Sequence, residues 1–241
     1  MEWLVIVNQT ITYWITTSWY KALLISFALN VFVYLVAAYT LYTITQLLVL
    51  KYRKGMYIDT RPLKKGQIKQ EISYGIKACV IFAIGSLLAR TLYKELWPEN
   101  VWMMLQELLL FTLFYETYSY VVHRFLHVKQ LMPTHKVHHW SIRVTPFSAY
   151  SVHPVEAIFI GISAPLFMLF FDISLGLVLI LHVLGMAYTI VIHSNYKLNS
   201  CSYFSALFNI IEYHSIHHRF PKNNYGFVNI GWDRLFRTRR K

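Results

Sequence analysis

Apolar residues run along this chain in long unbroken stretches, not in alternation. The first runs from Ala22 to Leu50 and stops at the basic stretch Lys51-Tyr52-Arg53-Lys54-Gly55. A second lies at about Tyr74 to Leu92, and a third from Val101 to Val122, after Pro98 and Asn100. Two more, Val155 to Phe171 and Ile173 to Ile192, sit on either side of Asp172. A helix needs about 20 apolar residues to cross a bilayer, and inside lipid every backbone polar group must find an internal partner. The pattern therefore predicts an all-α, polytopic membrane bundle of about three spans plus a helical hairpin that turns at Asp172. Nothing alternates as the strands of a membrane barrel would. The segment before Ala22 is apolar but rich in Thr and Trp, which predicts an interfacial helix and not a span.

The polar stretches set an orientation. Lys51, Arg53, Lys54, Arg61, Lys64, Lys65 and Lys69 fill the loop after the first run, and Arg234, Arg237, Arg239, Arg240 and Lys241 crowd the tail. Arg124, Lys129, Lys136 and Arg143 accompany the segment between the third run and the hairpin. The positive-inside rule places all three on the cytoplasmic side. Residues 1–100 read as N-terminal membrane helices, and 101–241 as a catalytic region integrated with them into one domain. Composition agrees, with 56% apolar and 14% charged residues. The net charge of +12 does not imply nucleic acid, because the basic residues flank apolar runs and form no basic domain. They are better anchors to anionic lipid, with docking of an acidic electron carrier as the second reading. Cys79 and Cys201 are too few for a disulfide framework and read as unpaired thiols. The start, "MEWLVIVNQT", puts an acid where a basic region should be, so no cleavable signal peptide is expected.

What the spans leave outside is histidine. Five of the 11 lie between His123 and His139. His123 and His127 are spaced i, i+4, so both rings fall on one helix face. His135, His138 and His139 are spaced i, i+3, i+4, and His214, His217 and His218 repeat that spacing. Neutral imidazole is a common ligand for Zn, Cu, Fe and Ni. Eight such rings exceed the four to six ligands of one ion and imply two metals. His193, at the cytoplasmic end of the last span, is a ninth candidate. Glu116 stands two turns before His123 on the same face, where a carboxylate would accept a ligand N–H and fix its tautomer. Glu116 and Asn195 are the catalytic candidates beside the metal set. His153, before Pro154, is either a donor supporting the site or a turn residue. His182 lies eleven residues before His193, roughly 16 Å deeper along one helix face at 1.5 Å per residue. It either lines a cavity or is a packed, hydrogen-bonded histidine. Glu107 is expected to pair near mid-membrane.

Taken together, "HRFLH", "HKVHH", "TPFSAYSVHPVE", "HSIHH" and "NYGFVNIGWDRLF" resemble the sterol desaturase and fatty acid hydroxylase superfamily of membrane di-iron enzymes. The resemblance covers about Glu116 to Thr238 and is nearest to sterol ring desaturases. Seven residues separate His127 from His135, whereas acyl-CoA desaturases have a much longer gap there. The resemblance implies membrane helices capped by a cytosolic histidine-rich lid, and two iron ions held by the nine histidines. It also implies O2 as co-substrate, a lipid drawn from the bilayer, and an electron donor of cytochrome or ferredoxin type. The host membrane would be the endoplasmic reticulum in a eukaryote and the cytoplasmic membrane in a bacterium. Glu116 stands where the family usually has aspartate, Arg237 where the terminal motif carries glycine, and His182 has no counterpart. The expected activity is hydroxylation or desaturation of a sterol or fatty-acyl lipid. Its rivals are a zinc-dependent lipid-modifying enzyme and a metal-handling transporter or sensor.

Overall fold

The polar punctuation sets where the apolar runs begin and end as helices. The computed structural model describes residues 2–198 and 205–240. α1 (Glu2–Thr16) is largely exposed and leads into α2 (Trp19–Gln46), which finishes in a π-turn over Leu47–Lys51. A basic loop precedes α3 (Gln67–Leu92), and α4 (Val101–Leu126) follows it. Asn100 starts α4 by accepting the Met103 amide at 3.0 Å, which satisfies one of the open N–H groups of the first turn. α5 (Met132–His139) carries Pro133 in its first turn. A 3₁₀ turn at Pro146–Tyr150 precedes α6 (Pro154–Gly161), α7 (Ser163–Met168) and α8 (Leu175–Ile192), and then α9 (Ser205–Arg219) and α10 (Gly231–Leu235). Among the described residues the only strands are β1 (Met56–Tyr57) and β2 (Tyr196–Lys197), paired antiparallel. The molecule is thus an all-α membrane bundle with a histidine-rich cluster at one end. Cys79 is buried as a free thiol, and Cys201 lies outside the described residues.

Among the described residues three helices are long and apolar enough to cross a membrane: Trp19–Lys51, Gln67–Leu92 and Leu175–Ile192. α4, expected as the third span, is not among them, because Gln106, Glu107, Glu116 and its many aromatic hydroxyls lower its hydropathy. Both acids are used internally. Glu107 Oε2 accepts from the Ser174 amide at 2.8 Å and the Ser174 hydroxyl at 2.6 Å, so it closes the start of α8 instead of pairing at mid-membrane. The hairpin forms, but its first arm is broken between α6 and α7. Pro165 supplies no N–H, and its ring would clash with the carbonyl of Gly161 in a continuous helix. At the turn, exposed Asp172 pairs with Lys94 at 2.5 Å.

Buried side chains of α2, α3, the 3₁₀ turn and α8 form one apolar cluster, including Tyr34, Phe82, Phe147, Tyr150 and Met186. Helices in lipid pack closely through small residues, and α3 meets α6 this way. A methyl at Gly85 would fall 2.6 Å from the carbonyl oxygen of Gly161. Glu71 of α3 is fully buried and accepts from Gln67 Nε2 (2.8 Å), Ser141 Oγ (2.7 Å) and Thr145 Oγ1 (2.5 Å). It therefore ties a membrane helix to the segment that leaves α5.

Candidate metal centre

The nine histidines converge from four places. α4 brings His123 and, at its C-terminal end, His127; α5 brings His135, His138 and His139; α9 brings His214, His217 and His218. His193 stands at the end of α8. They fall into two groups, His123, His127, His135, His139 and His217, and His138, His193, His214 and His218. Within each group one nitrogen per ring lies within 4.8 Å of all the others. The i, i+3, i+4 spacing does not keep a cluster together. His138 and His139 are neighbours in sequence yet serve different groups, as do His217 and His218.

Hydrogen bonds at the outer edge fix which nitrogen faces inward. His135 Nδ1 lies 2.9 Å from Glu156 Oε2, and the carboxylate can only accept. His123 Nδ1 donates to the Tyr225 carbonyl at 2.9 Å, His217 Nδ1 to that of Asn223 at 2.6 Å, and His193 Nδ1 to that of Thr189 at 2.7 Å. Each of these four rings therefore turns an Nε2 lone pair into the cluster. Inside, His139 Nε2 lies 3.1 Å from Nε2 of both His135 and His217. His214 Nε2 lies 2.9 Å from that of His193 and 3.1 Å from that of His218. One imidazole proton can serve only one of two such neighbours, so lone pairs face one another at contact distance. A cation between them removes that repulsion. Metal–imidazole bonds of about 2.1 Å put neighbouring nitrogens about 3.0 Å apart at right angles and about 3.4 Å apart in a tetrahedron. The close pairs at 2.9 and 3.1 Å match the right-angled case. Burial holds the imidazoles of His138, His139, His214, His217 and His218 well below their ordinary pKa, which leaves them in the neutral form a metal needs. The donor set fits two cations.

The carbonyls that orient His123 and His217 belong to the terminal motif. Buried Asp233 accepts from the amides of Tyr225 (2.9 Å) and Gly226 (2.5 Å). Asn224 takes φ +63°. Asp233 thus folds residues 223–226 into a loop whose carbonyls face the rings.

Neither catalytic candidate hydrogen-bonds a histidine of the two groups. Glu116 does not reach His123; its Oε2 accepts from Asn229, its Oε1 is buried without a partner among the described residues, and it borders a cavity. The carboxylate-to-histidine contact expected of Glu116 is made instead by Glu156. In sequence Glu156 is the last residue of "SVHPVE", 21 positions from His135, and its only signal was an acid in the first turn of a helix beside the boxes. Asn195 (φ +56°) holds the turn after His193. Its Oδ1 accepts the Asp59 amide at 2.8 Å and its Nδ2 donates to the Asp59 carbonyl at 2.9 Å, so it faces the α2–α3 loop. His153 is a turn residue that caps α6 through Val155 N at 3.2 Å. His182 does both things expected of it in the alternative: it borders the cavity and is hydrogen-bonded, at 2.8 Å, to Asn30.

The cavity has a volume of about 390 Å³ and opens between α3, α4, α6 and α8. Its walls are mainly apolar and aromatic, and His123, His135, His138, His193 and His214 are among the residues that line it. Pockets of this size take molecules of a few dozen heavy atoms.

Residues 108–238, more than half of the 241, match the fatty acid hydroxylase family, and the chain belongs to that family. Among curated proteins it is similar to the Delta(7)-sterol 5(6)-desaturase of Candida dubliniensis, 33% identical over 54% of this chain and 33% of the relative. The Delta(7)-sterol 5(6)-desaturase of Saccharomyces cerevisiae is 31% identical over 60% of this chain and 39% of its own. Human lathosterol oxidase is 26% identical over 71% of this chain and 60% of its own. The chain spans about a third to three fifths of the length of these relatives. No solved structure matches it.

Proposed function

We propose that the chain is a membrane-bound, non-haem di-iron oxidoreductase that uses O2 and reducing equivalents to hydroxylate or desaturate a lipid of sterol or fatty-acyl type. The observation that carries this is the pair of histidine groups, members of both of which line an apolar cavity. His123, His127, His135, His139 and His217 would hold one ion, and His138, His193, His214 and His218 the other. Two irons held there would supply the redox chemistry with O2 that breaks an unactivated C–H bond, which side-chain acids and bases cannot do. The chain's own residues do the rest. Glu156 and the carbonyls of Tyr225, Asn223 and Thr189 hold the rings in one tautomer. The aromatic walls orient the lipid and keep water out. Residues 101–241 would form the catalytic region, fused to the membrane helices of 1–100. Three spans, α2, α3 and α4, followed by a hairpin in which α6 and α7 cross and α8 returns, would bring the basic loop after α2, the histidine cap and the tail to the cytosolic side. A cytochrome- or ferredoxin-type donor would approach that face. In a eukaryote the host would be the endoplasmic reticulum membrane, in a bacterium the cytoplasmic membrane.

Iron-loaded protein, a chemical reductant and ¹⁸O2, incubated with a total lipid extract, test this. The expected result is reductant-dependent O2 uptake with a lipid product that carries ¹⁸O or has lost two hydrogens. Fully loaded protein that consumes no O2 and alters no lipid would overturn it.

A further inference from the structure

The cavity wall carries several polar groups that the proposed oxidation does not use, and one of them, His182, has its proton position fixed by a neighbouring side chain. Most of the wall's hydroxyls are turned away from the open space. Ser86, Thr112, Ser119 and Thr189 each donate to a carbonyl of their own helix, Ser163 donates to the carbonyl of Ile160 at the end of α6, and Tyr118 donates to the carbonyl of Phe159. His182 differs. It lies in the middle of the last span and bonds across to α2 through Nε2 and Asn30 Oδ1 at 2.8 Å. Among the described residues its Nδ1 has no hydrogen-bond partner, nor is that atom sealed off by packing.

The network fixes the proton on His182. Asn30 is buried, and its Nδ2 donates to the Ser26 carbonyl at 2.8 Å. The amide can therefore present only its oxygen to His182, which must donate from Nε2. A neutral imidazole has one N–H, so Nδ1 is left as a bare acceptor on an apolar wall. An acceptor in such a site selects a ligand that brings a donor, since an unmet buried polar group is unfavourable. A hydrocarbon, an ether, an ester or a ketone brings none; an alcohol does.

We propose that His182, oriented by Asn30, is a specificity-determining residue that binds the hydroxyl of a hydrophobic alcohol, at the end of the molecule remote from the oxidised carbon. The spacing gives the second half of the statement. His182 and His193 border the same cavity from one continuous helix, eleven residues and so roughly 16 Å apart along its axis. A sterol oxidised beside its own ring hydroxyl fits this spacing in neither direction. An alcohol that enters hydroxyl-first and reacts at its far end fits it. Which end reacts rests on the proposed function; the hydroxyl contact does not.

The test is a binding measurement on iron-loaded protein in phosphatidylcholine nanodiscs under nitrogen, where no turnover occurs. Two pairs of probes are compared, each differing only in the donor: cholesterol against its methyl ether, and 1-hexadecanol against its methyl ether. The wild type is expected to prefer an alcohol about five- to tenfold, the size of one neutral hydrogen bond. His182→Phe keeps a ring but no acceptor and should bind alcohol and ether alike. His182→Asn, which returns an acceptor near the Nδ1 position, should restore part of the preference. Equal binding of alcohol and ether by the wild type in both pairs would overturn the proposal. So would an undiminished preference in a folded His182→Phe protein. Admitting O2 and reductant to the same samples separates the two ideas. A hydroxyl preference without any product leaves His182 in its role and removes the oxidative reading.

Discussion

Glu156 and Glu116 are both buried acids beside histidines, yet the structure gives them different work. Glu156 accepts the Nδ1 proton of His135, whereas Glu116 accepts from Asn229 and reaches no ring. Carboxylates that orient a metal-binding histidine are typically worth ten- to hundredfold in metal affinity. Glu156→Gln is therefore expected to weaken iron retention by that factor in a chelator competition, and Glu116→Gln to leave it unchanged. Equal losses from the two would refute the assignment. The histidines were legible because ring positions on a helix follow from spacing. Their partners were not. Any residue has a carbonyl, so nothing marked Tyr225, Asn223 or Thr189, and the pairing of Glu156 with His135 depends on how α6 docks against α5. Arg237 was legible as an oddity and now has a physical meaning. It takes φ +56° just after α10, the conformation that favours the glycine usual there.

At the scale of elements, the apolar runs located the helices but not their use. The run that forms α4 is long enough to span, but length does not reveal that Glu107 closes α8 and Glu116 borders a cavity. Likewise the first arm of the hairpin reads as one helix until Pro165 is weighed against the carbonyl of Gly161. Glu71 was not singled out at all, because its partners Ser141 and Thr145 lie 70 and 74 positions away. Removing it leaves two hydroxyls and an amide without their acceptor in a dry site. At about 1–3 kcal/mol for each unmet group, Glu71→Ala should lower the thermal unfolding midpoint in detergent by several degrees, and Glu71→Gln by less. An unchanged midpoint for Glu71→Ala would show that it does not fasten the cap to the bundle.

For the whole molecule, apolar helices, a basic loop and a histidine cap fit one another. The spans place the cavity among lipids, and the cap places polar chemistry on its wall. The family and the helical class could be read from the motifs. The division of the histidines into five and four could not, because it depends on α4, α5, α8 and α9 meeting at one point. That division is the central claim, and Mössbauer spectroscopy with metal analysis on ⁵⁷Fe-labelled protein tests it most directly. Two irons per chain, magnetically coupled and oxidised by O2, are predicted. A single zinc, or no iron in protein expressed with ample iron, would contradict the account.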